Sequence, residues 1–340
     1  MTAAGPAYLI TGATGFLGRH ILEALKRDVP QARLIVLVRD VQSWESQPWR
    51  EPLGDVEAVS GSLVDTEGWK TDARLAGLNG IFHLAAEVKH TRRNTASMLR
   101  TNIEGTLAMV RLAAEKSCRV LFVSTSGAVS CSKQPGKGVY EEAPYCEDVV
   151  RDWPYYASKI RAEKDAGKLA KALGADLVIF RPPVLLGPGD HRFRSTSNVL
   201  RVLRRKLPFI LDGGMSFIDI RDAATAMVRA MRHESPKPVY HLSGTAGTLD
   251  EFFRMVAKQA GLKPSWRILP GVLLRWASRA NAASGLRLHL LPDPVVVEMA
   301  SHYWDVRSRH AETDLGYQSR PPERTIADTI DWMRQNHPQR

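Results

Sequence analysis

Tyr155 and Lys159 stand four residues apart in Pro154-Tyr-Tyr-Ala-Ser-Lys159. On a helix that spacing puts both side chains on one face. A phenol with an ordinary pKa of about 10 gives up its proton reluctantly at neutral pH. An ammonium beside it stabilises the phenolate and is expected to lower that value. Such a pair can pass a proton to a carbonyl oxygen or take one from an alcohol. The spacing alone recurs by chance, so placement decides its meaning. Upstream, the β-branched run Val120 to Ser124 reads as a strand whose end carries Ser124-Thr-Ser126. In a parallel sheet, ligands sit beyond the carboxyl ends of the strands. Ser126, Tyr155 and Lys159 are therefore the candidate catalytic set, with the Ser126 hydroxyl holding the oxygen that Tyr155 protonates.

A second constellation opens the chain. Thr11-Gly-Ala-Thr-Gly-Phe-Leu-Gly18 follows an apolar run, Tyr8 to Thr11, and leads into a helical pattern. Gly12, Gly15 and Gly18 let the backbone turn tightly and approach a pyrophosphate, and the helix N-terminus offers free N–H groups. Gly12, Thr14, Gly15, Phe16, Leu17 and Gly18 are the expected cofactor cradle. At the end of the second strand Val38 is followed by Arg39. A guanidinium suits a ribose 2′-phosphate by charge and forked geometry, which favours NADP(H). Asp40 comes next and would serve NAD(H) if the strand ran one residue longer. Arg19 offers a further positive charge.

The elements needed to hold these groups are legible in outline. Strands are expected at Tyr8 to Thr11, Leu34 to Val38, Val56 to Ser60, Gly80 to Leu84, Val120 to Ser124 and Asp176 to Phe180. Helices are expected over Phe16 to Lys26, Thr95 to Glu115 and Tyr156 to Leu173. This alternation argues an α/β fold with a parallel sheet covered on both faces. After Arg181 the pattern breaks at Pro182, Pro183, Gly187, Pro188 and Gly189. A basic helix is expected over Ser197 to Lys206, a short returning strand over Val239 to Leu242, and mainly helical sequence thereafter. Residues 1–185 read as the nucleotide-binding domain, with 217–247 returning to it. Residues 186–340 read as a discontinuous, smaller, mainly helical substrate lobe.

Composition narrows the classes. The 340 residues are 44% hydrophobic and 24% charged, ordinary globular usage. No apolar run approaches the roughly 20 residues that span a bilayer. Met1 to Pro6 carry no basic residue, unlike a secretory signal. Cys118, Cys131 and Cys146 form neither a disulfide framework nor a zinc pattern, so a reducing cytoplasm is the expected home. No metal site is expected. The net charge is +11, from 47 Lys plus Arg against 36 Asp plus Glu. A solvated basic surface is the plain reading. No nucleic-acid-binding signature accompanies the charge. The region Leu269 to Leu291, with Arg275, Arg279, Arg287 and His289 among leucines, reads first as a packed helical lobe and second as a peripheral membrane contact.

The ordered set of motifs resembles the extended short-chain dehydrogenases/reductases. It comprises the glycine motif, His83-Leu-Ala-Ala86, Asn102-Ile-Glu-Gly-Thr106, Ser124-Thr-Ser126, Tyr155 to Lys159, Arg181-Pro-Pro183 and Phe217 to Asp222, with Leu315-Gly-Tyr317 and Asp328 to Trp332 at the end. The resemblance covers nearly the whole chain. It implies a Rossmann-like, doubly wound, seven-stranded sheet with NAD(P) bound, and a catalytic role for Ser126, Tyr155 and Lys159. It implies further cofactor contacts from Ser62, Leu63, Ala85, Ala86, Asn102, Ser124, Pro182 and Val184. Tyr155 and Lys159 would also touch the cofactor, Lys159 at the nicotinamide ribose. Ser62 stands where the family usually has an Asp against adenine.

Within that family, dehydratases usually carry Asp-Glu after the catalytic hydroxyl, where this chain has Gly127 and Ala128. Val129, Ser130 and Cys131 replace the Val-Tyr-Gly of sugar epimerases. The Val38-Arg39-Asp40 and Ser-Gly-Ala stretches look more like dihydroflavonol-4-reductase-like and 3β-hydroxysteroid-dehydrogenase-like members. The expected activity is NADPH-dependent interconversion of a bulky apolar ketone and its secondary alcohol, with a small-molecule substrate. The alternatives are a nucleotide-sugar epimerase with retained NAD, and a non-catalytic NADP(H) sensor. Glu87, Lys89, His90 and Gly127 are candidate substrate contacts, although loop charges are as often solvated. His83 reads as structural. Trp266, Leu273 and Trp276 read as core before pocket wall. A homodimer is compatible with the sequence and is not specified by it.

Overall fold

The computed structural model describes residues 5–136, 138–271, 274, 276, 278–280 and 292–336. Leu273, Arg275, Arg287 and His289 lie outside them. Seven strands form one all-parallel sheet: β1 (Ala7–Thr11), β2 (Arg33–Val38), β3 (Glu57–Ser60), β4 (Leu78–His83), β5 (Arg119–Val123), β7 (Leu177–Arg181) and β11 (Val239–His241). Their order is β11-β7-β5-β4-β1-β2-β3. The chain builds outward from β1 in one direction, then reverses and builds the other way from β4. The carboxyl ends of β1 and β4 therefore flank a crevice at the switch point, where a doubly wound sheet binds its ligand.

The strands are apolar on both faces because helices cover both. On one side α1 (Phe16–Asp28) and α7 (Ile220–Arg232) bury Ile21, Leu25, Ala223 and Met227 against Ile10, Val36 and Phe82. On the other, α3 (Ala96–Glu115) and α5 (Pro154–Leu173) bury Met109, Val110 and Ala166 against Leu9, Ile35 and Ile81. α5 begins with Pro154 at its first position, where the missing N–H is harmless. It ends at Gly174 in the left-handed conformation (φ 66°).

Most element limits move by one to three residues from the sequence expectation, and two of the shifts have a local cause. β4 starts at Leu78 rather than Gly80, because Gly80 lies inside the strand. A Cβ there would meet Met231 Sδ at 2.3 Å, so the glycine admits the sulfur of α7. The basic helix α6 (Ser197–Leu203) stops short of Lys206, because Arg205 takes φ 51° and reverses the chain.

Residues beyond Arg181 form the lobe and also return α7 and β11 to the sheet. The lobe holds α6, α8 (Leu249–Ala260) and the helices Pro294–Met299, Arg309–Leu315 and Pro322–Asn336. It also contains strands too short for periodicity to reveal. β8 (Val184–Leu186), β10 (Gly214–Asp219) and β12 (Thr245–Thr248) make one small sheet, and β9 (Phe209–Leu211) pairs in parallel with β13 (Arg267–Leu269). A separate core of Leu186, Val199, Phe217, Phe252 and Ile330 holds the lobe together. Finally, β6 (Cys131–Ser132) pairs with β14 (Tyr303–Trp304), tying the segment after β5 to the lobe. Among the described residues, no helix is long and apolar enough to cross a membrane.

Candidate active site

The glycine turn sits at the switch point. Gly12 has φ 74°, and a Cβ on it would lie 2.7 Å from the Ala85 backbone nitrogen. A Cβ on Gly18 would lie 2.3 Å from the Gly12 carbonyl oxygen. Both glycines are thus required by close backbone approach. Gly15 is the N-cap of α1 and gives no side-chain cap, so the first-turn N–H groups face the crevice without a side-chain acceptor. Thr14, Phe16 and Leu17 are half-buried around this opening. Ala85 is tied to β1 by its N–H to Thr11 Oγ1 at 3.3 Å.

At the tip of β2, Arg39 is exposed, and its positive charge adds to the Lys89 hydrogen bond that chiefly holds the Glu87 carboxyl below its ordinary value. Asp40 takes a different job. Its carboxylate accepts the Ser43 N–H at 3.1 Å and caps α2 (Val41–Glu45). Arg19 does not join them. Its guanidinium pairs with Glu23 at 2.7 Å, meets His191 Nε2 at 3.0 Å and lies over the Trp49 ring. The expected second phosphate charge is therefore spent inside the fold. Beyond β3, the Ser62 carbonyl accepts the Trp69 indole N–H at 2.8 Å, and Leu63 packs over Gly105 of α3.

Asn102 is committed to protein contacts. Its Oδ1 accepts the Glu87 N–H at 2.9 Å, and its Nδ2 donates to the Glu87 carbonyl and to Ser158 Oγ, both at 3.0 Å. It braces the loop after β4 against α5 rather than reaching into the crevice. Glu87 and Lys89 pair with each other at 2.6 Å, and Ser97 also donates to Glu87. They behave as the solvated loop charges of the plainer reading. His83 is structural, buried between the hydroxyls of Thr11 and Thr106 at 2.9 and 3.1 Å, and burial holds its pKa down at about 3.

The carboxyl end of β5 carries the hydroxyls. Ser124 Oγ is buried without a hydrogen-bond partner. Ser126 is held by its N–H to the Pro182 carbonyl at 2.9 Å, which joins the ends of β5 and β7. Val184, at the start of β8, is one of the exposed large apolar side chains of the chain. Tyr155 and Lys159 sit in the first turns of α5, as their spacing requires. Lys159 Nζ is buried, donates to the Val123 carbonyl at 2.8 Å and lies 4.7 Å from the centre of the Phe122 ring. Burial lowers its pKa to about 8, with the Glu163 charge opposing that fall.

One expectation is corrected here. Tyr155 is pushed up to about 12 by burial, not lowered by Lys159. The ammonium is turned toward β5 by the Val123 carbonyl, so desolvation prevails over charge stabilisation at the phenol.

The sequence did not mark the aromatic wall beside Tyr155. Tyr156 stacks on Trp304 with centroids 5.2 Å apart, and Trp153 lies against both rings. His90 stacks on Tyr156 at 6.3 Å and meets Tyr155 edge-on at 5.7 Å. His90 Nδ1 is buried without a partner. Gly127 is the opening that admits this stack. A Cβ on it would lie 2.1 Å from Tyr156 Cε1 and 3.0 Å from Trp304 Cζ3. Only the doublet Tyr155-Tyr156 hinted at the wall. Trp304 arrives through β14, far away in the chain. Trp266 is half-buried and donates to Asp250, whereas Trp276 is 72% exposed and belongs to neither core nor wall.

A buried polar network fixes α5 to β7. Arg181 Nη2 meets Glu163 Oε2 at 2.6 Å, and the Tyr145 hydroxyl donates to the same oxygen at 3.0 Å. Arg181 also donates to the Glu141 carbonyl at 3.3 Å. Glu163 lies one turn beyond Lys159, on the face that carries the candidate catalytic pair.

Comparison with known proteins agrees with this geometry. Residues 8–242 match the NAD dependent epimerase/dehydratase family. The chain is 28% identical to ceramide reductase of Caulobacter vibrioides over 81% of this chain and 80% of that protein. It is 28% identical to dihydroflavonol 4-reductase of Hordeum vulgare over 54% of each. Among solved structures, gox2253 superposes with a TM-score of 0.83 at 25% identity, covering 98% of this chain and 99% of that one. The chain belongs to the NAD dependent epimerase/dehydratase family and is an NAD(P)-dependent oxidoreductase.

Proposed function

We propose that this protein is an NADPH-dependent reductase of a bulky, largely apolar ketone. The observation that carries the reading is the setting of Tyr155, a phenol kept protonated by burial and walled by His90 and Tyr156. The phenol carries its proton at neutral pH, and that proton is the one a carbonyl oxygen takes up on reduction. Tyr155 gives its proton to the carbonyl oxygen. The Ser126 hydroxyl orients that oxygen. Once the proton has left, the phenolate charge attracts the Lys159 ammonium one turn away, which in the resting site is turned to the Val123 carbonyl.

The residues present fit a dinucleotide. Gly12, Gly15 and Gly18 clear a close backbone approach, the α1 N-terminus is left uncapped, and Ser124 Oγ is buried without a partner. Thr14, Phe16 and Leu17 would line the pyrophosphate, Ser62 and Leu63 the adenine, and Ala85, Ala86, Pro182 and Val184 the path to the nicotinamide, with Tyr155 and Lys159 on the ribose. When bound, NADPH supplies the hydride. Arg39 would hold the 2′-phosphate, since Asp40 is occupied in capping α2. Glu87, Lys89 and Gly127 sit near the substrate side, but the direct substrate contact we assign is His90, whose Nδ1 is buried without a partner and whose ring meets Tyr155 edge-on.

Titration with NADPH and NADH, followed by nicotinamide fluorescence, tests the cofactor reading. Arg39→Ala should weaken NADPH binding about 10- to 100-fold, the loss of a charge-assisted contact, and leave NADH unchanged. Preference for NADH in the unaltered protein would contradict it.

A further inference from the structure

The lobe gathers positive charge without neutralising it. Residues 191–211 hold six Lys plus Arg and no Asp or Glu, and residues 252–271 hold four and none. The fold brings these two stretches together. β9 pairs with β13, with Phe209 opposite Arg267 and Ile210 opposite Ile268, and the Arg267 N–H donates to the Pro208 carbonyl. Arg204, Arg205 and Lys206 lead directly into β9, and Lys263 leads into β13. These four and Arg267 are all exposed, and among the described residues none has a carboxylate partner. Arg254 nearby is already paired with Asp250.

Apolar exposure is highest in β13 and in the segment that follows it along the chain. Ile268 is 54% exposed and Trp276 is 72% exposed, the highest values among the large hydrophobic side chains described. Exposed cations flanking an exposed isoleucine, with an exposed tryptophan a few residues on, do not lower the free energy of a protein in water. They match a bilayer, where the side chains enter the headgroup boundary and the cations meet anionic lipid. The segment that follows β13 reaches the wall of the candidate active site. Past Leu274, buried in the lobe core, Arg279 Nη2 donates to Glu298 Oε1 at 2.8 Å, and Glu298 accepts the Trp153 indole N–H at 3.0 Å. Trp153 packs against Tyr156 in the wall beside Tyr155.

We propose that the β9–β13 edge of the lobe, with Arg204, Lys206 and Arg267 flanking Ile268 and with Trp276 a few residues on, docks reversibly on an anionic membrane surface. This deepens the reading of an apolar substrate, because a ketone dissolved in the bilayer would be met there. Docking is measured without substrate, so it stands or falls separately from that reading.

The test is co-sedimentation of the full-length protein with phosphatidylcholine vesicles, with and without phosphatidylglycerol. Binding is expected only to the anionic vesicles and should fall with added salt. The triple change Arg204→Gln, Lys206→Gln, Arg267→Gln should lower the partition coefficient about 100-fold. Ile268→Ser with Trp276→Ser should lower it through the apolar contact instead. Both variants should keep the thermal melting and NADPH affinity of the unaltered chain, since none of these residues lies in the site. Absence of binding to anionic vesicles, or equal binding by the triple variant, would overturn the proposal. So would tighter retention by a single-stranded oligonucleotide at the same salt, which would assign the patch to nucleic acid.

Discussion

Gly127→Ala is the smallest change that should disable the site while leaving cofactor binding alone. The added methyl would stand 2.1 Å from Tyr156 Cε1 and 2.5 Å from Cδ1. Ordinary contact between carbon atoms needs about 3.5–4 Å, so the ring must retreat by more than about 1 Å. It has little room to do so. Trp304 stacks on it with centroids 5.2 Å apart, His90 lies at 6.3 Å, and Trp304 Cζ3 would itself be 3.0 Å from the new methyl. Overpacking of this kind costs about 1–3 kcal/mol. For a chain of this size that is a fall in Tm of about 1–4 °C. The larger effect should be kinetic. Tyr155 adjoins Tyr156 with ring centroids 5.2 Å apart, and a displacement of about 1 Å at a reacting group costs about 100-fold. The assay is NADPH oxidation with a bulky ketone, beside NADPH fluorescence titration and a thermal melt. A variant with unaltered kcat/KM would refute the packing argument, and with it the placement of the aromatic wall against the substrate.

Two further outcomes follow from the buried groups. Arg181→Met leaves Glu163 buried without its cation and should cost about 3–5 kcal/mol, read as a large loss of Tm, because that pair pins α5 to β7. kcat/KM for reduction should hold level through neutral pH and fall above about 8, where buried Lys159 loses its proton. The direction follows from its lowered pKa, since the ammonium is present below that value and absent above it. A profile that rises through pH 8 would contradict the charged role of Lys159.

How far the sequence reached depends on how local each signal is. The glycine turn, the strand that precedes it and the Tyr155–Lys159 helix are set by neighbours a few residues away, and all are visible in the chain. Right-handed crossovers leave few topologies for the alternating strands and helices, and the count of seven strands comes from the family resemblance. The misses are long-range. Trp304 reaches Tyr156 only because β14 pairs with β6. Glu163 gains meaning only when Arg181 of β7 lies beside α5. Arg19 reads as a phosphate ligand until Glu23 and His191 are seen to hold it. The direction of the Tyr155 shift was also out of reach, because desolvation depends on what surrounds the phenol. The lobe strands, two to six residues each, are too short to show a period.

The most direct measurement is product formation against NADPH consumed, with a bulky apolar ketone, for the unaltered chain and for Tyr155→Phe. If Tyr155 is the proton donor of a reductase, one alcohol forms per NADPH oxidised, and Tyr155→Phe abolishes turnover while binding NADPH as before. Turnover that persists in Tyr155→Phe, or product formed with no net loss of NADPH, would contradict it.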